Sequence, residues 1–138
     1  MRKSLVLVAG LLTVGMWASA QAAVVSYKAT LTGASEVPPV TTSATGTAAV
    51  NVDTATKKLS WTVTYTGLTA AAAHIHCGAA AGANAGVAVN FGTNLASPIQ
   101  GSGEMTDAQL ADLEAGNCYV NIHTAANKGG EIRGQLAK

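Results

Sequence analysis

The sequence predicts an all-β protein, a Greek-key β-sandwich or barrel of seven to eight strands with one short helix. Short segments rich in β-branched residues recur along the chain, and turn-forming residues separate them. A single segment, residues 106–115, carries the start and stop signals of a helix. About 116 residues follow the N-terminal segment, which is enough for one modest hydrophobic core.

The first 22 residues are predicted to be a secretory signal peptide. Arg2 and Lys3 precede an apolar run over residues 5–17, and two A-x-A cleavage patterns follow it. A spanning helix needs about 20 apolar residues, so this run is short for an uncleaved anchor, which is the alternative. We therefore expect a secreted or periplasmic domain over residues 23–138, with no transmembrane segment after cleavage.

The charge of the mature chain excludes one class of partner. After residue 22, six Lys and Arg face seven Asp and Glu, so the net charge is −1 with neutral histidines. This balance provides no basic field to hold nucleic acid. Hydrophobic residues make up 49% of the chain and charged residues 11%, which indicates a folded domain rather than intrinsic disorder.

The first half of the mature chain is predicted to form four strands. They cover residues 24–32, 45–52, 59–66 and 72–77. The third is the clearest, because Leu59, Trp61 and Val63 alternate with serine and threonine, as in a half-buried antiparallel strand. Pro38 and Pro39 indicate a loop or edge segment after the first strand, since proline cannot serve a central ladder.

The second half adds the remaining strands and the helix. The strands are predicted over residues 87–91, 98–104, 118–124 and 131–136, and a low-complexity loop covers residues 78–86. The helix is predicted over residues 106–115, where Thr106 and Gln109 fit a capping box. Gly116 follows it as the expected stop residue.

The two cysteines of the mature chain, Cys77 and Cys118, are predicted to form a disulfide. An even pair in an exported protein is most simply one bridge, because the compartment is oxidising. It would close a loop of about 40 residues and stabilise the domain by roughly 4 kcal/mol in the chain-entropy model. The alternative is two free thiols or soft metal ligands.

The three histidines of the chain have positions that favour one shared site. In a strand, residues two apart share a face, so His74 and His76 point the same way with Cα atoms about 6.6 Å apart. If Cys77 and Cys118 are bonded across neighbouring strands of one sheet, they fix a common face. The parity of the strands then places His123 on the opposite face, together with the other two histidines.

Three imidazoles are a known ligand set for zinc and also suit copper. With both sulfurs in a disulfide, we expect copper(II) or zinc at this site, with water at an open fourth position. The alternative is that the histidines are surface polar residues or bond neighbouring loops. Glu131 and Arg133 share a strand face and are interpreted as a surface ion pair, with assistance to the histidine site as the alternative.

Four motifs of the chain resemble a known family. They are AHIH at 73–76, GNCYVNIHTAAN at 116–127, GGEIRGQ at 129–135 and GASEVPP at 33–39. Together they resemble the chordin-type, or CHRD, domain over essentially the whole mature chain, as in a single-domain bacterial member. The resemblance implies an extracellular or periplasmic all-β domain and implies little about activity.

A more distant similarity connects the chain with copper/zinc superoxide dismutase. That family also has an HxH strand, a disulfide and a later copper-ligating histidine in a Greek-key barrel. On this analogy, His74, His76 and His123 would match three copper ligands. The bridging fourth histidine and the zinc-ligand cluster of the family are missing, so the similarity does not imply dismutase activity.

Three functions are therefore considered. The first is an exported CHRD-domain protein that binds or handles a metal, copper first and zinc second, through its three histidines. The second is a metal-free extracellular structural module that binds a protein partner. The third is a dismutase-like enzyme. The chain shows no Ser-His-Asp order, nucleophile elbow, phosphate loop or HExxH motif, so no catalytic residue is predicted.

Overall fold

The structure is a computed structural model that describes residues 15–16, 21 and 23–138. The predicted signal peptide therefore lies almost entirely outside the described residues. Among the residues that are described, no helix is long and apolar enough to cross a membrane.

The described chain contains eight strands and one α-helix, in the order predicted. The strands are β1 (Val24–Thr32), β2 (Thr45–Asp53), β3 (Lys58–Thr66), β4 (Ala72–Cys77), β5 (Val87–Asn90), β6 (Ile99–Glu104), β7 (Cys118–His123) and β8 (Ile132–Gln135). The helix α1 (Asp107–Glu114) lies between β6 and β7. The all-β prediction is confirmed, and each predicted element ends within one residue of the observed one.

The strands form one antiparallel sheet in the order β5-β4-β7-β8-β1-β2-β3-β6. The contact between β8 and β1 is narrow, because the strands pair only at Thr32 and Arg133, with a separate bridge from Lys28 to Ala137. This junction lets the two four-stranded halves of the sheet fold over a shared core. Non-sequential neighbours, β4 with β7 and β3 with β6, agree with the predicted Greek-key connections.

A stacked aromatic pair brings the two ends of the sheet together. Trp61 on β3 lies against Phe91, just after β5, with ring centroids 4.7 Å apart and planes 24° from parallel. Gly101 and Gly103 on β6 leave room for the indole, since a Cβ atom at Gly101 would lie 2.6 Å from its Cζ2 atom. The sheet is therefore nearly closed, like a barrel, around one hydrophobic cluster.

The helix begins and ends as the sequence predicts. The Thr106 hydroxyl accepts the Gln109 backbone N–H, and the Gln109 side chain accepts the Thr106 N–H, which completes the capping box. Gly116 follows the C-terminus with φ of 80°, a left-handed conformation that favours glycine. Leu113 anchors the helix in the core.

Candidate metal centre

The register of β4 against β7 fixes the faces on which the candidate residues lie. Cys77 pairs directly with Cys118, and the two form a disulfide with Cα atoms 4.1 Å apart. His74 and His76 lie on the opposite face of β4, as alternation requires. A register shift occurs between Ile75 and His76, but on the β5 side of the strand, so the β4–β7 ladder keeps its parity.

The three histidines converge on one point of this outer face. One ligand nitrogen of each of His74, His76 and His123 lies within 4.8 Å of the others. His74 Nδ1 is 3.1 Å from His123 Nε2. Two nitrogens at that separation can both lie about 2.0–2.1 Å from one ion, with an angle at the metal of about 100°. The cluster is thus spaced for a shared ion, as the strand parity predicts.

Backbone carbonyls set the tautomer of two of the imidazoles. His76 Nδ1 lies 2.9 Å from the Ala85 carbonyl oxygen, and His123 Nδ1 lies 2.9 Å from that of Lys128. Because a carbonyl can only accept, each Nδ1 carries the proton and each Nε2 keeps its lone pair for a ligand. His76 Nε2 is buried and has no hydrogen-bond partner among the described residues.

The surroundings of His74 and His76 favour the neutral imidazole, which is the form that binds metal. Burial lowers the pKa of His74 from its ordinary value of 6.5 to about 4, and the neighbouring His123 and His76 add to this effect. Burial also lowers the pKa of His76. There the hydrogen bond to Ala85 opposes the shift, while the charges of His123 and Arg133 reinforce it.

A stack of side chains that the sequence did not predict supports His76 from behind. The Tyr119 ring lies parallel to the His76 ring, with centroids 4.8 Å apart and planes 2° from parallel. The Arg133 guanidinium carbon lies 3.4 Å from the Tyr119 ring centroid. The Tyr119 hydroxyl also accepts the N–H of Ala85, so one tyrosine holds both the His76 ring and the residue that fixes its tautomer.

The loop over residues 78–86 covers this stack. Arg133 donates to Asn84 Oδ1 at 2.9 Å and to the Ala83 carbonyl. Asn84 in turn donates to the Val37 carbonyl, which ties the loop to the segment after β1. The low-complexity sequence of the loop hid this role, because most of its contacts use backbone atoms.

The interpretation of Glu131 and Arg133 as a surface ion pair is wrong. Both side chains are buried, with 9% and 2% of their surface exposed. Glu131 accepts hydrogen bonds from Thr42, Thr124 and Asn127. Arg133 is directed to Tyr119 and the covering loop. The alternation of strand residues predicted that Glu131 and Arg133 share a face. It could not predict that loops bury both side chains.

A second buried polar group lies beside the cluster. Asn121, the β7 residue opposite His74, donates to Glu36 in the loop after β1. Burial raises the pKa of Glu36 to about 7, although the Asn121 hydrogen bond and the charge of Arg133 act in the other direction. Gly130 leaves space for this pair, because any Cβ atom there would collide with both side chains. These contacts account for the acidic residue of GASEVPP and for the second glycine of GGEIRGQ.

One side of the cluster is open to small ions. His74 and His123 are partly exposed, whereas His76 is 8% exposed. His74 also lines an open groove whose other walls come from residues 65–72 and 90–97. This arrangement matches an accessible site with three protein ligands and space for a fourth, non-protein ligand.

Comparison with known proteins identifies the family. The model of the CHRD domain matches residues 27–136, which is most of the chain and all eight strands except the start of β1. Neither the curated proteins nor the solved structures give a significant match, so the similarity to copper/zinc superoxide dismutase is not supported. All four motifs singled out in the sequence lie within the matched region, and the chain belongs to the CHRD domain family.

Proposed function

We propose that this CHRD-domain protein is exported and binds one metal ion, copper in the first place and zinc as the alternative. The ligands are His74, His76 and His123. One observation carries the proposal: three ligand nitrogens lie within 4.8 Å of one another on a single face of the sheet. Imidazole is a common ligand for both metals, and no thiol is free to compete within the described chain.

Two features favour a binding site over three incidental surface histidines. The Nδ1 protons of His76 and His123 are held by backbone carbonyls, which is the usual way in which proteins orient metal-ligating imidazoles. Within the described part of the chain, the buried Nε2 of His76 also has no hydrogen-bond partner, a costly arrangement unless something binds it. A bound ion would satisfy this nitrogen.

Export is proposed from the N-terminal sequence and supported by the disulfide. Residues 1–22 have the pattern of a signal peptide. The Cys77–Cys118 disulfide is typical of a protein in an oxidising compartment. In such a compartment the protein would bind or handle copper outside the cytoplasm. The sequence has no Ser-His-Asp order, nucleophile elbow, phosphate loop or HExxH motif, so we propose binding rather than an enzymatic reaction.

The proposal is tested by the metal content and metal-dependent stability of the oxidised mature protein, purified without a polyhistidine tag. We expect about one copper per chain and a higher melting temperature with copper(II), because a ligand of the native state stabilises it by mass action. Replacement of His76 by Ala should abolish both effects. Gln100→Ala, an exposed change on β6, is the matched control and should bind as the wild type does.

Two outcomes would overturn the proposal. The first is equal copper binding after all three histidines are replaced in a variant that still melts cooperatively. The second is neither bound metal nor any shift in melting temperature for the wild type. The second result would direct attention to the metal-free module, which is expected to bind an extracellular protein partner.

A further inference from the structure

The stack formed by His76, Tyr119 and Arg133 places a fixed positive charge on the other side of the Tyr119 ring from His76. β7 lies between β4 and β8 in the sheet, so His76 and Arg133 approach Tyr119 from opposite sides. Arg133 is 2% exposed and brings a cationic guanidinium group to this stack. Its hydrogen-bond acceptors are the neutral Asn84 side chain and the Ala83 carbonyl.

The cluster itself contributes no negative charge to balance this cation. The acidic side chain beside it is Glu36, and burial raises its pKa to about 7, so its carboxyl is mostly neutral below that pH. Its three ligands are imidazoles, and no carboxylate or thiolate belongs to the group that can share an ion in the described chain. The partners of the two Nδ1 protons are also uncharged, since both are backbone carbonyls. A carboxylate in that position would have made the imidazole a stronger donor to a highly charged metal.

This distribution of charge distinguishes ions by their valence. Repulsion from a fixed cation grows in proportion to the charge of the bound ion, and the cost of removing the ion from water grows faster still. With three neutral ligands, a cuprous ion leaves the centre with a charge of one and a cupric ion with a charge of two. The environment of His76 therefore opposes the divalent ion more strongly.

We propose that the three-histidine site binds the cuprous ion in preference to the cupric ion, and that Arg133 sets part of this preference through the Tyr119 ring. The inference rests on the proposed copper-binding function and adds the oxidation state of the metal. The ion that the site prefers is thus monovalent copper, a soft ion held by three nitrogen donors.

The wild-type protein is tested by two competition titrations, one with a chromogenic chelator of copper(I) and one with a chelator of copper(II), at the same pH and ionic strength. The copper(I) titration is anaerobic with ascorbate, because a thiol reductant would open Cys77–Cys118 and supply thiolate ligands. We expect copper(I) to bind at least about tenfold more tightly, and each tenfold preference raises the reduction potential by about 59 mV.

The contribution of Arg133 is tested without removing that buried residue. Asn84 is exposed and accepts a hydrogen bond from the guanidinium, so Asn84→Asp places a carboxylate against that cation. The added charge should neutralise it and lower the copper(I) preference by about threefold to tenfold. Asn84→Ala removes the hydrogen bonds with Arg133 and Val37 without adding charge, and Asn51→Asp adds the same charge on β2. Both controls should keep the wild-type preference.

Each outcome separates this inference from the proposed function. If neither copper ion binds, both are wrong. If copper binds through the histidines but copper(II) binds as tightly as copper(I) or more so, the proposed function stands and the preference is overturned. If copper(I) is preferred but Asn84→Asp behaves like Asn84→Ala, the role assigned to Arg133 is overturned.

Discussion

His76 is the most constrained ligand candidate of the three. Its ring lies against Tyr119 and its Nδ1 proton is held by the Ala85 carbonyl. Its Nε2 atom has no hydrogen-bond partner among the residues that the structure describes. Fixing an imidazole before the metal arrives reduces the conformational entropy that binding would otherwise cost. His74 and His123 instead contact each other, so the free protein holds this pair through a hydrogen bond that an incoming ion would replace.

We predict that the stability of the metal-free protein depends on pH through His74. His74 has an ordinary pKa of 6.5 when unfolded and about 4 when folded, so the unfolded chain takes up its proton first as the pH falls. Stability from this residue is therefore fully present above pH 6.5 and is lost as the pH falls from 6.5 towards 4. Urea unfolding midpoints between pH 7.5 and pH 4 would measure the loss, which should be smaller in His74→Gln.

The matched control for this prediction is Gln100→Ala, which should lose stability in parallel with the wild type. A His74→Gln variant whose midpoint falls as steeply as that of the wild type between pH 6.5 and pH 4 would contradict it. In that case, other groups would account for the acid sensitivity of the fold.

At the scale of elements, the β4–β7 ladder unites the disulfide and the candidate site. The bridge ends the ladder at Cys77 and Cys118, and the histidines lie at outward positions of the same two strands, with His123 at the other end of β7. Register in a sheet matters because a shift by one residue moves every side chain to the other face. The bridge therefore helps to keep the three imidazoles on one side.

The second prediction concerns this bridge. Replacing both Cys77 and Cys118 by Ala should lower the free energy of unfolding by about 4 kcal/mol, because the unfolded chain regains the entropy of a loop of 41 residues. Denaturant unfolding of the wild type and the double variant measures the difference. A loss below about 1 kcal/mol would contradict this prediction, since the bridge would then constrain the unfolded chain far less than its loop length implies.

The strands and helix could be predicted from the sequence because each depends on local patterns. The structure contains three of these local features: the alternation in β3, the capping box before α1 and the shared face of the histidines. The surroundings of the site could not be predicted in the same way. Tyr119 and Arg133 meet only because β7 and β8 become neighbours, and the loop over residues 78–86 covers them through backbone atoms.

At the scale of the whole molecule, the near-closure of the sheet depends on contacts between its ends. β5 and β6 are the two edge strands, and Trp61 reaches across the core from β3 to Phe91 beside β5. Gly103 of β6 also lies next to Val89 of β5, since a Cβ atom there would be 3.6 Å from Val89 Cγ1. The half that carries the histidines is thus held against the half formed by β1, β2, β3 and β6.

The last prediction is a double-mutant cycle across this closure. Trp61→Ala should cost about 3–5 kcal/mol, the usual range for a buried aromatic ring. Gly101→Ala should also destabilise the wild type, because the new Cβ atom would lie 2.6 Å from the indole. In the Trp61→Ala background that collision is absent, so we expect Gly101→Ala to cost less there, with a coupling of about 0.5–3 kcal/mol.

Gly129→Ala, where a Cβ atom meets nothing within 4 Å, is the control and should give no coupling with Trp61→Ala. Urea unfolding followed by circular dichroism measures all the variants, and equal costs of Gly101→Ala in the two backgrounds would show that the indole does not need the space these glycines leave.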